Sequence, residues 1–112
     1  MKNLAWRAAI AALGLALAAS APAQDYPAKP VKIIVPFAPG GVTDNSARVI
    51  ADALGTRLGQ PVIVENRPGA SGNIGSAQVA QSAPDGYTLV LGFDGTMVIN
   101  PHVFPKMPFD TL

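Results

Sequence analysis

The sequence contains no cysteine and a single histidine, His102, among its 112 residues. The lack of cysteine excludes disulfide bonds, thiolate metal sites and cysteine nucleophiles. With only one imidazole, a zinc site built from histidines is not expected. We therefore expect no metal and no cofactor.

Charged residues are scarce, at 13% of the chain, and the net charge is +1. There is no run of basic residues and no alternation of basic and aromatic residues, so nucleic-acid binding has little support. Ser46 and Ser71 have no evident histidine base, since His102 follows Asn100-Pro101 in a predicted turn. The carboxylates are scattered and form no acid–base pair: Asp44, Asp52, Glu65, Asp85 and Asp94. These features argue against an enzyme.

The N-terminus has the pattern of a secretory signal peptide. Lys2 and Arg7 precede an apolar stretch over residues 8–19, and Ala21-Pro22-Ala23 forms a small-x-small cleavage site. The apolar run is about a dozen residues, whereas a membrane-spanning helix requires about 20. We expect residues 1–23 to be a cleaved signal, the mature protein to be periplasmic, and no membrane span to remain after cleavage.

The rest of the chain alternates predicted strands and helices. Apolar β-branched runs predict strands, and apolar residues at helical spacing predict helices. The strands are expected at residues 31–35, 62–65 and 87–91, and the helices at residues 45–58 and 73–81. A further helix begins at Met97 and is expected to be interrupted by Asn100-Pro101. This order, βαβαβ, predicts an α/β fold with a parallel sheet and right-handed crossovers.

The first glycine loop, Pro39-Gly40-Gly41-Val42-Thr43-Asp44, joins the first strand to the first helix. Thr43 or Asp44 is expected to cap the N-terminus of that helix, and Gly59 its C-terminus. A glycine loop before a helix directs backbone N–H groups towards an anion. Asp44 can alternatively position a water or accept a hydrogen bond from a ligand. The structural alternative is a plain strand-to-helix turn.

The second glycine loop follows the second predicted strand, with glycines at positions 69, 72 and 75. This G-x-x-G-x-x-G spacing differs from the G-x-G-x-x-G of dinucleotide sites, although Asp94 lies where a ribose-binding acid would. The loop is better interpreted as an anion or carboxylate loop that uses Ser71, Gly72 and Asn73. Because the carboxyl ends of parallel strands meet at one edge of the sheet, this loop should lie beside the first one.

Two side chains near these loops allow two interpretations each. Arg67 can pair with a ligand carboxylate, or with Glu65 or Asp44 in a structural ion pair. Phe93 can cover the apolar stem of a ligand or fill the edge of the sheet.

Several short segments form a specific combination along the whole mature chain. They are Tyr26-Pro27, 30–37, 39–44, Ala47-Arg48, 58–61, 64–70, 72–75, 84–89 and Asn100-Pro101. Together with the signal peptide, they resemble the substrate-binding receptors of tripartite tricarboxylate transporters, the Bug family. The resemblance implies a two-lobed, type 2 periplasmic binding protein fold that performs no catalysis. It also implies a small carboxylate ligand, such as a dicarboxylate, tricarboxylate, amino acid or aromatic acid, which is passed to a membrane permease.

The resemblance also implies which residues bind the ligand. In the family, the two glycine loops grip a carboxylate, largely through backbone groups and ordered waters. The corresponding positions in this sequence are Phe37, Gly40, Gly41, Thr43, Asp44, Ser71, Gly72 and Asn73.

Members of this family are much longer than the present chain. We expect residues 24–112 to form an incomplete N-terminal lobe of a periplasmic solute-binding domain, left by a truncation. Two alternatives remain open at this point: an exported α/β enzyme that acts on an anionic substrate, and a non-functional relic that binds no ligand.

Overall fold

The computed structural model describes residues 25–111, so the predicted signal peptide lies outside the described residues. The elements of that part alternate along the chain. They are β1 (Val31–Val35), α1 (Val42–Leu58), β2 (Val62–Asn66), α2 (Asn73–Ala80), β3 (Thr88–Val90) and α3 (Asn100–Val103). A tight turn with left-handed backbone (Ala70–Gly72) precedes α2, and a π-helical turn (Gly95–Ile99) precedes α3. Within residues 25–111, no helix is long and apolar enough to cross a membrane.

The three strands form one parallel sheet with β1 in the centre, in the order β2-β1-β3. The central position suits β1 because it is a continuous apolar run, and four of its five residues are buried. The chain passes outwards from β1 to β2 and then back across β1 to β3. Right-handed crossovers therefore place α1 and α2 on opposite faces of the sheet. The predicted α/β fold with βαβαβ order is confirmed.

The core lies between the sheet and α1. Ile33 and Val35 of β1 pack against Ala47 and Ala51 of α1. Two alanines at helical spacing give α1 a flat apolar stripe, which lets the helix approach the strands closely. Partly buried apolar side chains surround this cluster: Phe37, Leu54, Val62, Val64 and Leu91. The position of α1 fixes where its N-terminus meets the loop that follows β1.

The start of α1 differs from the prediction. The helix begins at Val42 with Gly41 in the cap position, and no side chain makes a capping hydrogen bond. Thr43 and Asp44 lie inside the first turn, so the expectation that one of them caps the helix is wrong. The reason is that the Asp44 carboxylate reaches back to the N–H of Gly40 instead. The predicted C-terminal cap is confirmed, because Gly59 adopts φ 66° and donates its N–H to the Gly55 carbonyl.

The expected interruption at Asn100-Pro101 is also wrong. The π-helical turn runs directly into α3, and Pro101 lies in the first turn of that helix. Pro101 has no N–H to donate, so the helical pairing is carried by the residues around it: the Asn100 N–H donates to the Gly95 carbonyl, and the Phe104 N–H donates to the Asn100 carbonyl. The helical segment consequently places Asn100 against the loop that precedes α2.

Candidate functional site

Three loops leave the carboxyl ends of the three parallel strands. We call residues 36–41 loop 1, residues 67–72 loop 2 and residues 91–94 loop 3. The strand hydrogen bonds continue into the start of two of them, because the Arg67 N–H donates to the Val35 carbonyl and the Leu91 N–H to the Ile34 carbonyl. This pairing holds the three loops at one edge of the sheet, as the sequence predicted for the two glycine loops.

Aromatic rings join loop 1 to loop 3. Phe37 and Phe93 lie 5.3 Å apart between ring centroids and cross at 83° in an edge-to-face arrangement. Phe93 remains about half exposed, so its outer face lines the open side of this edge. Both interpretations of Phe93 stay compatible with this position.

The carboxylate of Asp44, in the first turn of α1, holds loop 1 through hydrogen bonds. Asp44 is buried, with 2% of its surface exposed. Arg48, one helical turn further on, forms a bidentate ion pair with the Asp44 carboxylate. Its Nε and one terminal guanidinium nitrogen each donate at 3.0 Å. The Gly40 N–H donates to the same carboxylate at 2.9 Å. The hydrogen bonds from Arg48, then those from Gly40 and Asn66, lower the pKa of Asp44 from 3.8 to about 2.

Asn66, the last residue of β2, links its strand to loop 1. Its side-chain amide donates to Asp44 at 3.0 Å and to the Phe37 carbonyl at 3.1 Å, and its oxygen accepts from Arg48 at 3.3 Å. The Asp44 carboxylate thus accepts four hydrogen bonds from protein groups. Asp44 therefore holds the shape of loop 1, and the donors that loop 1 can offer to a ligand are the backbone N–H groups of the first turn of α1.

Loop 2 has an unusual backbone, with positive φ at four consecutive residues. The values are 135° at Gly69, 47° at Ala70, 54° at Ser71 and 89° at Gly72. The loop closes on itself, since the Gly72 N–H donates to the Gly69 carbonyl and the Asn73 N–H to the Ala70 carbonyl. Two of the N–H groups expected to face an anion therefore have acceptors inside the loop.

Two buried side chains that are not among the predicted site residues contact loop 2. Thr96 Oγ1 donates to the Ser71 carbonyl at 2.9 Å, and Asn100 Nδ2 donates to the same oxygen at 3.0 Å. Asn100 also donates to the Asn73 side chain at 2.8 Å. The signal for Asn100 was its place in a family segment, Asn100-Pro101. For Thr96 the sequence contains no comparable signal.

The eight predicted site residues form two groups that meet. Phe37, Gly40, Gly41, Thr43 and Asp44 surround the start of α1, whereas Ser71, Gly72 and Asn73 belong to loop 2 and the start of α2. The groups touch where Gly72 packs beneath Phe37, since a Cβ on Gly72 would lie 3.4 Å from Phe37 Cζ. The Asn73 side chain turns away from loop 1, towards Asn100 and the sulfur of Met107.

The remaining charged candidates have protein partners. Arg67 and Lys32 both form ion pairs with Glu65, the latter at 2.8 Å, and the hydrogen bond from Lys32 is the main cause of the lowered pKa of Glu65. The structural interpretation of Arg67 as an ion-pair partner of Glu65 is thus the observed one. Asp94 accepts from the Gly95 N–H at 2.8 Å and begins the π-helical turn. Among residues 25–111, no group of three or more His, Cys, Asp or Glu residues is placed to hold a metal ion.

Comparison with known proteins identifies a matching family. Residues 46–112 match the model of the tripartite tricarboxylate transporter family receptor. The chain spans between 21% and 36% of the length of the curated relatives that it matches.

Three solved structures illustrate the similarity. The periplasmic binding protein BugD is 52% identical with a TM-score of 0.57, over 58% of this chain and 22% of BugD. A Rhodopseudomonas palustris protein with bound malate, MatC, is 42% identical with a TM-score of 0.74, over 77% of this chain and 29% of MatC. An R. palustris protein with adipate is 41% identical with a TM-score of 0.75, over 78% of this chain and 29% of that protein.

Proposed function

This chain belongs to the tripartite tricarboxylate transporter receptor family, and we propose that its loops 1 and 2 form part of the binding surface of a receptor for a small carboxylate. The observation that supports this most directly is the meeting of the two loops at one edge of the sheet, with Gly72 packed beneath Phe37. Similar proteins have been solved with adipate and with malate, which are both dicarboxylates. We therefore infer a dicarboxylate or a related small acid as the ligand.

The first turn of α1 is the proposed anion donor of loop 1. The helix has 17 residues, so its dipole places partial positive charge on the free N–H groups of its first turn. Gly41 precedes this turn with an ordinary φ of −80° and no side chain. Thr43 is half-buried in the same turn and adds a hydroxyl donor. A carboxylate can thus approach the helix end along the backbone of Gly41.

Asp44 lies in this turn and would repel an anion if its charge were uncompensated. Its bidentate contact with Arg48 neutralises the pair locally, and four hydrogen bonds from protein groups already occupy the carboxylate oxygens. We propose that Asp44 contributes to binding through the conformation of Gly40, while Phe37 and the exposed face of Phe93 contact the carbon stem of the ligand.

The family is one of periplasmic binding receptors, and this chain is proposed to act in the same compartment, after removal of residues 1–23. It would bind its ligand without chemical change and pass it to a membrane permease. We further propose that residues 24–112 form part of one lobe of the two-lobed domain.

Binding by residues 24–112 alone is expected to be weak. Gly40, Gly41 and Ser71 are exposed, so a ligand held by loops 1 and 2 keeps much of its surface in water. Sites for small ligands usually bury about 70–90% of the ligand. Each charge-assisted hydrogen bond contributes roughly 1.5–3 kcal/mol, and the lost freedom of the ligand offsets much of this. We expect millimolar affinity at best.

Substitution of Gly41 tests the site. A Cβ at Gly41 would meet only the Ala38 carbonyl oxygen, at 3.8 Å, so the fold has room for a side chain there. Gly41→Val should abolish the shifts of loop 1 amide signals when malate or adipate is titrated and followed by NMR. Gly41→Ala, the matched control, should weaken them less, because its side chain is smaller.

A urea melt of each variant separates binding from folding. We expect both Gly41 variants to lose a similar, small amount of stability, because alanine and valine are poorer N-cap residues than glycine. If wild type and Gly41→Val show the same shifts of loop 1 amide signals with malate and with adipate, the ligand does not approach Gly41. Loop 1 would then not belong to the site.

A further inference from the structure

The Ser71 carbonyl of loop 2 accepts two hydrogen bonds from outside its own loop. Its donors are Thr96 Oγ1 at 2.9 Å and Asn100 Nδ2 at 3.0 Å. Both donors belong to the helical segment that follows β3, which lies 25 and 29 residues away in sequence. Thr96 is 0% and Asn100 6% exposed. Because water cannot easily replace buried donors, these hydrogen bonds constrain loop 2 more strongly than exposed ones would.

The backbone of loop 2 needs such a constraint. Ala70 and Ser71 adopt φ of 47° and 54°, which is unfavourable for residues with a Cβ. Conformations of this kind persist where the surroundings enforce them, and they concentrate at functional sites. The hydrogen bonds within loop 2 use the Gly69 and Ala70 carbonyls, whereas the Ser71 carbonyl is directed towards Thr96 and Asn100.

We propose that Thr96 and Asn100 are positioning residues, whose hydrogen bonds to the Ser71 carbonyl hold loop 2 in the left-handed conformation needed at the carboxylate site. This inference rests on the proposed function of loop 2. Neither side chain needs to touch the ligand. Thr96 also packs on Gly72, since a Cβ on Gly72 would overlap Thr96 Oγ1 and lie 3.3 Å from its Cγ2. The segment after β3 thereby sets the shape of the loop after β2.

The test uses the hydroxyl group of Thr96. Thr96→Val keeps the shape and the methyl contact but removes the donor, whereas Thr96→Ser keeps the donor. Thr56→Val is the control, because Thr56 Oγ1 donates to the Asp52 carbonyl within α1 at 3.0 Å and not to loop 2. Asn100→Ala removes the second donor and provides an independent variant.

Amide hydrogen exchange of the full chain, read residue by residue by NMR, reports on loop 2 without any ligand. We expect Thr96→Val to accelerate exchange at the Gly72 and Asn73 amides about tenfold, the effect of losing one buried hydrogen bond. Asn100→Ala should accelerate it more, because Asn100 donates both to the Ser71 carbonyl and to the Asn73 side chain. The Arg67 and Leu91 amides, which continue the sheet pairing, should keep their rates. Thr96→Ser and Thr56→Val should exchange like wild type in loop 2.

Wild-type rates at Gly72 and Asn73 in Thr96→Val would overturn the proposal. So would an equal acceleration at Arg67 and Leu91, since this would indicate a general loss of stability.

A parallel titration with malate and adipate separates this inference from the proposed function. If wild type responds to either acid, Thr96→Val should respond with affinity reduced about tenfold, and Thr96→Ser with affinity close to wild type. Undiminished binding by Thr96→Val despite faster exchange would overturn the positioning role. If wild type responds to neither acid, the proposed function fails, and the exchange rates alone decide whether Thr96 and Asn100 hold loop 2.

Discussion

Loops 1 and 2 occupy equivalent places after neighbouring strands, but they are held by different kinds of interaction. Loop 1 is held by a charged carboxylate, that of Asp44 at the start of α1, which accepts hydrogen bonds from Gly40, Arg48 and Asn66. Loop 2 is held by a neutral backbone carbonyl, that of Ser71, which accepts hydrogen bonds from Thr96 and Asn100. Gly40 and Arg48 lie within four residues of Asp44 and Asn66 lies 22 residues away, whereas both donors of loop 2 come from the helical segment after β3.

This difference has a physical consequence for each loop. The hydrogen bonds of loop 1 depend on the ionisation of one carboxyl group, so they respond to pH and salt. Those of loop 2 are neutral and buried, so they respond to packing and to the integrity of the segment after β3. Loop 1 is therefore the electrostatically sensitive part of the proposed site, and loop 2 the sterically sensitive part.

The largest expected effect concerns glycine at positive φ in each loop. Gly40 and Gly72 have φ of 85° and 89°, but a Cβ on Gly40 would meet nothing within 4 Å, whereas one on Gly72 would overlap Thr96. Gly40→Ala should cost about 1 kcal/mol of unfolding free energy, from backbone conformation alone. Gly72→Ala should cost about 3 kcal/mol, because overpacking adds to it.

Urea denaturation of the two glycine variants measures this contrast. Equal losses of stability would show that loop 2 is no more tightly packed than loop 1.

A smaller effect is expected from the charge of Asp44, tested with Asp44→Asn. The pKa of Asp44 is lowered from 3.8 to about 2, so its stabilising contribution is complete above pH 3.8 and is lost as the pH falls towards 2. Wild type should be the more stable protein at neutral pH, and the difference between the two proteins should shrink between pH 4 and pH 2.

Urea melts at a series of pH values measure this difference. Glu65 and Asp85 also have lowered pKa values, but both proteins retain them, so their contribution cancels in the comparison. A difference that stays constant down to pH 2 would contradict the assigned ionisation of Asp44.

The smallest effect is expected at Arg48, whose side chain is half exposed. Arg48→Met should accelerate hydrogen exchange at the Gly40 amide by a factor of a few, and added salt should reduce the difference from wild type because it screens the ion pair. The Gly72 amide should be unaffected. Arg57→Met, in the last turn of the same helix, is the control and should leave both amides unchanged.

An acceleration at Gly72 as large as that at Gly40 would show that the two loops are coupled. In that case the division between an electrostatic and a steric loop would not hold.

Local sequence patterns predicted most of the fold correctly. The bounds of β1, the glycine at the end of α1 and the parallel order of strands follow from hydrophobic periodicity and glycine placement, which act over a few residues. Two local details differ from these expectations, for separate reasons. The Asp44 carboxylate does not cap α1, because it accepts hydrogen bonds from Gly40, Arg48 and Asn66, the last of them 22 residues away in sequence. The helical segment continues through Pro101, because the Asn100 N–H before it pairs with the Gly95 carbonyl and the Phe104 N–H after it pairs with the Asn100 carbonyl.

The sequence by itself determined that strands and helices alternate, that the strands are parallel, and that both glycine loops lie at one edge of the sheet. It also identified the family, through segments spread along the chain. Only the tertiary structure decided which side chains hold the loops. Strand pairing places Asn66 against loop 1, and the helical turn through Gly95 and Pro101 places Thr96 and Asn100 against loop 2. Such partners depend on the register and packing of separate elements, whereas periodicity in a single sequence reports only on each element alone.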